Sequence, residues 1–284
     1  MATRAEASHG VSEEQYEPGL DEVLQPADHQ IVSWLTGFQL SLTYGLGARF
    51  GLDVALPVRI TVIDAEFHDQ GGDRIGDFSS IHHRDETIAG IGDLRLGVRY
   101  GLIRPTDVKR LTIDLKLGVS FPTGHVEDDP YALGAEGKSH THTFFGQGAY
   151  LPQLGLELIY SLPAGQFVVS ADGQISTGPA EKGYEAPTFG TFGVGFSSGY
   201  GLDSVRFLIR QELYAESESF WNGVPAENSG RTDLNAVVGI TGLLPEEVTL
   251  GVVFKIPYFT ATNGGQYSSP LFMAVSLGWG VDTL

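Results

Sequence analysis

The sequence has no cysteine, so neither a disulfide framework nor a cysteine-ligated zinc site organises it. No apolar run approaches the ~18 residues of a membrane-crossing helix, which leaves no candidate for a helical span. Charged residues make up only 18% of 284 positions, low for a soluble chain of this size. Positive charge is the scarcer sign: 17 Lys and Arg stand against 35 Asp and Glu, a net charge of −18. Phosphate backbones are bound by clustered cations, so this balance argues against a nucleic-acid partner. The opening residues, MATRAEASHG, lack the apolar core of a secretion signal, and for an exported protein that signal is expected to have been removed. The missing cysteines suit passage through an oxidising periplasm, although the same absence is common elsewhere.

What is present favours strands. Length alone allows one large β-domain or two smaller ones, but 38 glycines and 11% aromatics suit many strands separated by turns. The clearest stretch is 91–124. Leu94, Leu96, Val98, Tyr100 and Leu102 alternate with Asp93, Arg95, Gly97, Arg99 and Gly101, a period of two that no helix produces. After a short turn, Leu111, Ile113, Leu115, Leu117, Val119 and Phe121 share one face, and Thr112, Asp114, Lys116, Gly118 and Ser120 the other. An apolar face this long and pure matches a tilted strand of about 9–11 residues crossing hydrocarbon, apolar outside and polar within. A soluble sandwich turns its apolar face inward and rarely keeps it so long.

The same alternation predicts strands from Trp34, Leu52, Leu154, Phe167, Phe192, Val205, Leu234, Val248 and Leu271 onward, eleven in all with the central pair. Bacterial single-chain barrels have even counts, so about twelve are expected, the twelfth hidden before residue 31, with ten and eleven still open. The fold class is therefore all-β, an antiparallel transmembrane β-barrel over 31–284. Residues 1–30, acidic and without periodicity, read as a flexible or plug-like extension. Short connections near 47–49, 103–109, 163–166, 203–204 and 244–247 alternate with long ones at 67–89, 124–143, 177–188, 215–231 and 260–268. That asymmetry is the one between periplasmic turns and extracellular loops. Tyr44, Tyr100, Tyr160, Tyr200 and Trp279 each close a strand on the short-turn side, where an amphipathic ring sits at headgroup level.

If the polar faces met lipid, Arg95, Arg99 and Lys116 would each cost up to ~2–4 kcal/mol at the midplane. The expected lumen lining is therefore Asp53, Asp93, Asp114, Glu157, Asp172, Glu212 and Asp233 against Arg59, Arg95, Arg99, Lys116, Arg206, Arg210 and Lys255, a balance that leaves the net negative charge to the extension and loops. In the central hairpin, pairing with residue numbers summing to 213 sets Arg99 opposite Asp114, whereas 211 sets Arg95 opposite Lys116, a like-charge contact; the former is predicted. Arg206, Arg210 and Glu212 could bind an anion, but bracing of the lumen by ion pairs is the plainer role.

Six of eight histidines, His68, His82, His83, His125, His140 and His142, fall in the first two long loops among acidic residues. His140 and His142, two apart, would point the same way in a strand, so His82, His83, His140 and His142 are candidate ligands for a divalent transition metal. Solvated polar loops are the commoner explanation. Ser79 and Ser80 near His82 and His83, and Ser139 beside His140, sit in no nucleophile turn, so catalysis is not expected. Runs such as GYGLDS precede no helix and are turn glycines rather than phosphate cradles.

GIGDLRLGVRY at 90–100 followed by LGVSFPTG at 117–124 resembles an outer-membrane β-barrel family associated with a phenol-degradation pathway, the MetA-pathway-like transporters, with looser likeness over 31–280. The resemblance implies a bacterial outer-membrane barrel and a channel for aromatic or other hydrophobic small molecules; it brings no catalytic residues. Such barrels usually end in an aromatic residue, whereas this chain ends Val-Asp-Thr-Leu. Together these readings predict a monomeric, non-enzymatic channel with lipid and a small solute as partners and no cofactor. The alternative is a closed barrel whose acidic, His-rich loops bind a metal or a partner.

Overall fold

The computed structural model describes residues 2–10, 28–68, 71–74, 84–106, 110–141, 143–198, 204–226, 229–263 and 269–280. Strand β1 (Ala2–Gly10) pairs antiparallel with β2 (Asp28–Gly45), which turns into β3 (Phe50–His68). The next line of chain is broken in two. β4 (Glu86–Ile91) pairs with the Val58–Ile63 part of β3, and β5 (Leu94–Ile103) with Phe50–Ala55, the break falling at Gly92 and Asp93. β6 (Leu111–Phe121) leads through a single-turn helix α1 (Pro130–Ala135) to β7 (Leu151–Leu162) and β8 (Gly165–Gln174). A two-residue β9 (Tyr184–Glu185) precedes β10 (Phe189–Ser198) and β11 (Val205–Glu216). β12 (Phe220–Trp221) and β13 (Val224–Pro225) form a small hairpin before β14 (Arg231–Leu244), β15 (Val248–Thr262) and β16 (Phe272–Trp279).

Thirteen of these share one antiparallel sheet, twelve if the broken line β4–β5 is taken as one strand. Its ladders run β2–β1–β16–β15–β14–β11–β10–β8–β7–β6–β5–β3, and β2 also pairs with β3. The contact between β1 and β16 is brief, Ala2 with Met273 and Thr3 with Phe272. The Thr3 hydroxyl adds a bond to the Leu271 carbonyl at 2.7 Å. β1 lies before residue 31, where an extra strand was expected. ATRAEASHG carries no apolar alternation, so the pattern that revealed the other strands is missing there.

The two faces of the sheet are unlike. On one, Leu96, Val98, Leu117, Leu154, Leu156, Phe192, Val194, Phe207 and Ile209 stand exposed, Leu117 by 54%. On the other, polar groups are sheltered: Ser120 is 2% exposed, Asn235 1% and Asp114 8%. That inverts the usual preference for burying apolar and exposing polar groups.

The β5–β6 register differs from the prediction. Arg99 stands opposite Lys116 and Arg95 opposite Ser120, residue numbers summing to 215, with an irregularity between Gly101 and Ile103. Asp114 therefore faces Gly101 rather than Arg99. In this register Gly97 meets Gly118, and Arg104 reaches back across Gly101 to pair with Asp114. The like-charge opposition that the prediction avoided is thus present, and it is offset by the outer neighbours of the hairpin, Asp53 and Glu157.

The long connections carry structure of their own. β9, β12 and β13 make a three-stranded sheet whose hairpin turns at Asn222 and Gly223, both at positive φ, the pairing that a two-residue turn requires. Asp129 caps α1, its carboxylate accepting from the Tyr131 and Ala132 amides at 2.9 and 3.3 Å. Val126, Ala149, Leu151, Tyr184, Ala186 and Trp221 bury one another, with Tyr131 and Phe144 packed against them.

Candidate functional site

Charged side chains meet on the sheltered face because antiparallel partners share a face. One row of the ladders runs Gly51, Arg99, Lys116, Gly155, Asp172, Thr191, Tyr214, Asp233 and Thr260. Arg99 reaches Asp53 at 3.2 Å and Lys116 reaches Glu157 at 3.5 Å, each a diagonal neighbour. Gly51 and Gly155, directly opposite those cations on their outer sides, leave the diagonals open.

Farther around the sheet, Glu212 takes Lys255 at 2.7 Å and Arg210 at 3.5 Å, and Arg210 donates to the Ser170 hydroxyl at 3.0 Å. Asp233 holds Arg231 and accepts from Thr260, both at 2.7 Å. Lys255 also lies 5.8 Å from the centroid of the Phe272 ring. Among the described residues, no carboxylate lies within ion-pair distance of Arg59, Arg95 or Arg206, and no cation within that distance of Asp172.

Asp93 has a different role from the rest. It is buried at the break between β4 and β5 and accepts the backbone amides of Gly124 at 2.9 Å and Gln147 at 2.8 Å. Thr123 completes the junction, its hydroxyl accepting from the Leu94 amide at 2.8 Å and donating to the Gly92 carbonyl at 3.2 Å. The packing leaves no room for side chains. A Cβ on Gly124 would lie 2.7 Å from Gly146 Cα, and one on Gly90 would lie 2.7 Å from the Phe145 ring. The Gly-x-Gly-Asp and Pro-Thr-Gly segments thus form one lock that pins 144–147, with Phe145 buried on the sheltered face over Gly90. The connection 124–143, a polar loop by its composition, returns to the sheet at the adjacent rings of Phe144 and Phe145, the signal in the sequence that it does so.

Among the described residues, two cavities stand out on this face. The larger, about 270 Å³, is lined by Asp53, Arg95, Lys116 and Asp172 with Gln153, Gln174, Thr191 and Phe189. The second, about 250 Å³, lies among Leu208, Val237, Val253, Phe272 and Ala274 beside the Arg210–Glu212–Lys255 cluster.

The strand-end rings stand as follows. Tyr44, Tyr160 and Trp279 are exposed, and Tyr100 packs on Phe50 with centroids 4.7 Å apart. Phe167 opposite Tyr160, and Phe196 at 4.9 Å from Phe167, extend that row and were not anticipated. Tyr200 lies outside the described residues, as do His82, His83, His142, Ser79 and Ser80. His140 is buried, its Nδ1 3.0 Å from the Lys138 carbonyl and its ring against Gly134. His125 and His68 each lie beside a glutamate, at 3.8 and 3.7 Å. Among the described residues no three His, Asp or Glu side chains converge as metal ligands would.

In the cap, Phe144, Tyr184 and Trp221 stack with centroids 4.8–6.0 Å apart. Burial pushes the Tyr184 phenol up to about 12. Lys182 ties the cap down, donating to the Val126 carbonyl at 2.8 Å and pairing with Asp128 at 2.9 Å.

No protein-family model matches the sequence, and no curated protein matches it. Among solved structures, an outer membrane channel from Pseudomonas putida F1 is similar, with a TM-score of 0.57 and 13% identity over 98% of this chain and 94% of that one. At that identity the likeness shows a shared fold: this chain is a mostly antiparallel β protein built like an outer-membrane channel.

Proposed function

We propose that the chain is a monomeric outer-membrane β-barrel of twelve crossing strands that passively admits a small solute, aromatic or otherwise hydrophobic in its body. The single observation that carries this reading is the inversion of the sheet's faces. A belt of exposed leucine, valine and phenylalanine side chains far exceeds the few hundred Å² that soluble monomers tolerate, and lipid is the medium that covers such a belt. Closure is supported by β1, which pairs with β16 on one side and β2 on the other, while β2 continues into β3. The tyrosine and tryptophan ends then sit in the periplasmic interface, and the capped loops lie outside. Asp53, Asp93, Asp114, Glu157, Asp172, Glu212, Asp233 and their cationic counterparts line the lumen. The segment pinned by Asp93 narrows it. A role in transport rather than catalysis fits the fold shared with a channel.

Reconstitution into planar lipid bilayers tests this. Discrete conductance steps are expected from the detergent-extracted full chain. A chain that stays folded and monodisperse without detergent would overturn the membrane reading, and a smooth baseline would favour a closed barrel that works through its loops.

A further inference from the structure

Most charges on the lumen wall are matched one to another; among the described residues Arg59, Arg95, Arg206 and Asp172 are not, and two of these four, Arg95 and Asp172, meet in one cavity. Four charged side chains line the 270 Å³ cavity. Asp53 is engaged by Arg99 and Lys116 by Glu157. The other two, Arg95 and Asp172, have no ion-pair partner among the described residues, and they are not paired with each other. Asp93, the carboxylate nearest in sequence to Arg95, is turned toward the Gly124 and Gln147 amides and reaches Arg95 only at longer range.

Space at this point is provided by the backbone. Gly97, Gly118, Gly155 and Gly173 all line the cavity, and Gly97 faces Gly118 directly across the ladder. Gln153, Gln174 and Thr191 add uncharged hydrogen-bonding groups, and Phe189 adds an apolar surface. A lone anion here would meet Asp172 and Asp53, and a lone cation would meet Arg95 and Lys116. The complementary ligand carries both charges.

Resting on the channel reading, we propose that this cavity is a subsite for a small zwitterion of the amino-acid type, with Arg95 taking its carboxylate, Asp172 its ammonium group, and Phe189 flanking an apolar side chain. Arg95 is suited to the first role because its planar guanidinium grips a carboxylate in bidentate fashion. A solute held at both poles is oriented against the wall.

Calorimetry on the full chain in detergent micelles tests the subsite with three probes: L-leucine, 4-methylpentanoate, which lacks the amine, and 3-methylbutylamine, which lacks the carboxylate. Leucine is expected to bind, and each singly charged analogue to bind about tenfold or more weakly, the loss associated with a hydrogen-bonded charge. Arg95→Gln should erase the advantage of leucine over the amine, and Asp172→Asn its advantage over the carboxylate. Analogues that bind as well as leucine in the wild-type chain, or ratios unmoved in both variants, would overturn the subsite. Absence of any leucine heat from a preparation that still gives conductance steps would also overturn it and leave the channel reading standing. Leucine binding without conductance steps would support the subsite and overturn the channel.

Discussion

Arg99 stands directly opposite Lys116 in the ladder between β5 and β6, and each is neutralised on its far side, Arg99 by Asp53 of β3 and Lys116 by Glu157 of β7. The like-charge contact is tolerable only while both outer carboxylates are present. Asp53→Asn should therefore lower stability by about 1–2 kcal/mol, since it strips a half-buried cation of its partner beside another cation. Adding Lys116→Met should recover part of that loss. Thermal unfolding in detergent, followed by circular dichroism, measures both; fully additive effects would show that the two cations do not interact.

Asp93 is the single acceptor for two buried amides, so its removal should affect more than stability. Asp93→Ala leaves the Gly124 and Gln147 N–H groups orphaned, at about 1–3 kcal/mol each. It should also release the segment bearing Phe145. Larger conductance steps and new proteolytic cleavage between 143 and 148 are the expected readouts. Gly90→Ala offers an independent check, because its Cβ would lie 2.7 Å from the Phe145 ring without touching the carboxylate. If both variants conduct like the wild type, the pinned segment does not narrow the path.

Much of the sheet was legible in advance because exposed apolar and sheltered polar residues alternate at a fixed period, as Leu94 through Leu102 show. The register was not. Direct opposition is the only relation that a two-strand comparison offers, whereas Arg99 and Lys116 are satisfied by strands that the hairpin alone does not include. Asp93 reads in the sequence as an inward charge of the strand, whereas it sits in the break between β4 and β5 and its partners are backbone amides thirty and more residues away, which leave no signature in side-chain pattern. β1 escaped for a simpler reason: its residues carry no apolar period. The aromatic cap around Tyr184 and Trp221 was hidden by the assumption that long loops are solvated, although rings in such loops are themselves a sign of local packing.

Tyr184 gives the cap a pH limit. Burial raises its phenol to about 12 against about 10 for a free tyrosine, so the neutral ring is favoured in the folded cap. A raised folded-state value means that the cap's stability is intact below pH ~10 and falls as pH climbs toward ~12, by about 2–3 kcal/mol in total. In the phenolate absorbance of the wild-type chain minus that of Tyr184→Phe, one ring should titrate late, coincident with loss of protection in 126–151 and 180–226. Tyr184→Phe should leave the cap folded to higher pH. If the difference titrates near pH 10, the ring is not held in the packed cluster.

The turn between β14 and β15 holds Glu246 and Glu247 at φ of 61° and 58°, a region that side chains with a Cβ enter at a penalty of roughly 1–2 kcal/mol per residue. Glycine adopts it freely but loses more entropy on ordering, so the net gain from relieving one position is smaller. Glu247→Gly should raise stability by about 0.5–1 kcal/mol without altering conductance, because the turn lies at the short-connection end and lines neither cavity. The contrasting substitution, Glu247→Val, places a β-branched side chain in the same backbone conformation and should destabilise the β14–β15 hairpin. Thermal unfolding midpoints that leave the three proteins in any other order would show that the two glutamates are not strained in this turn.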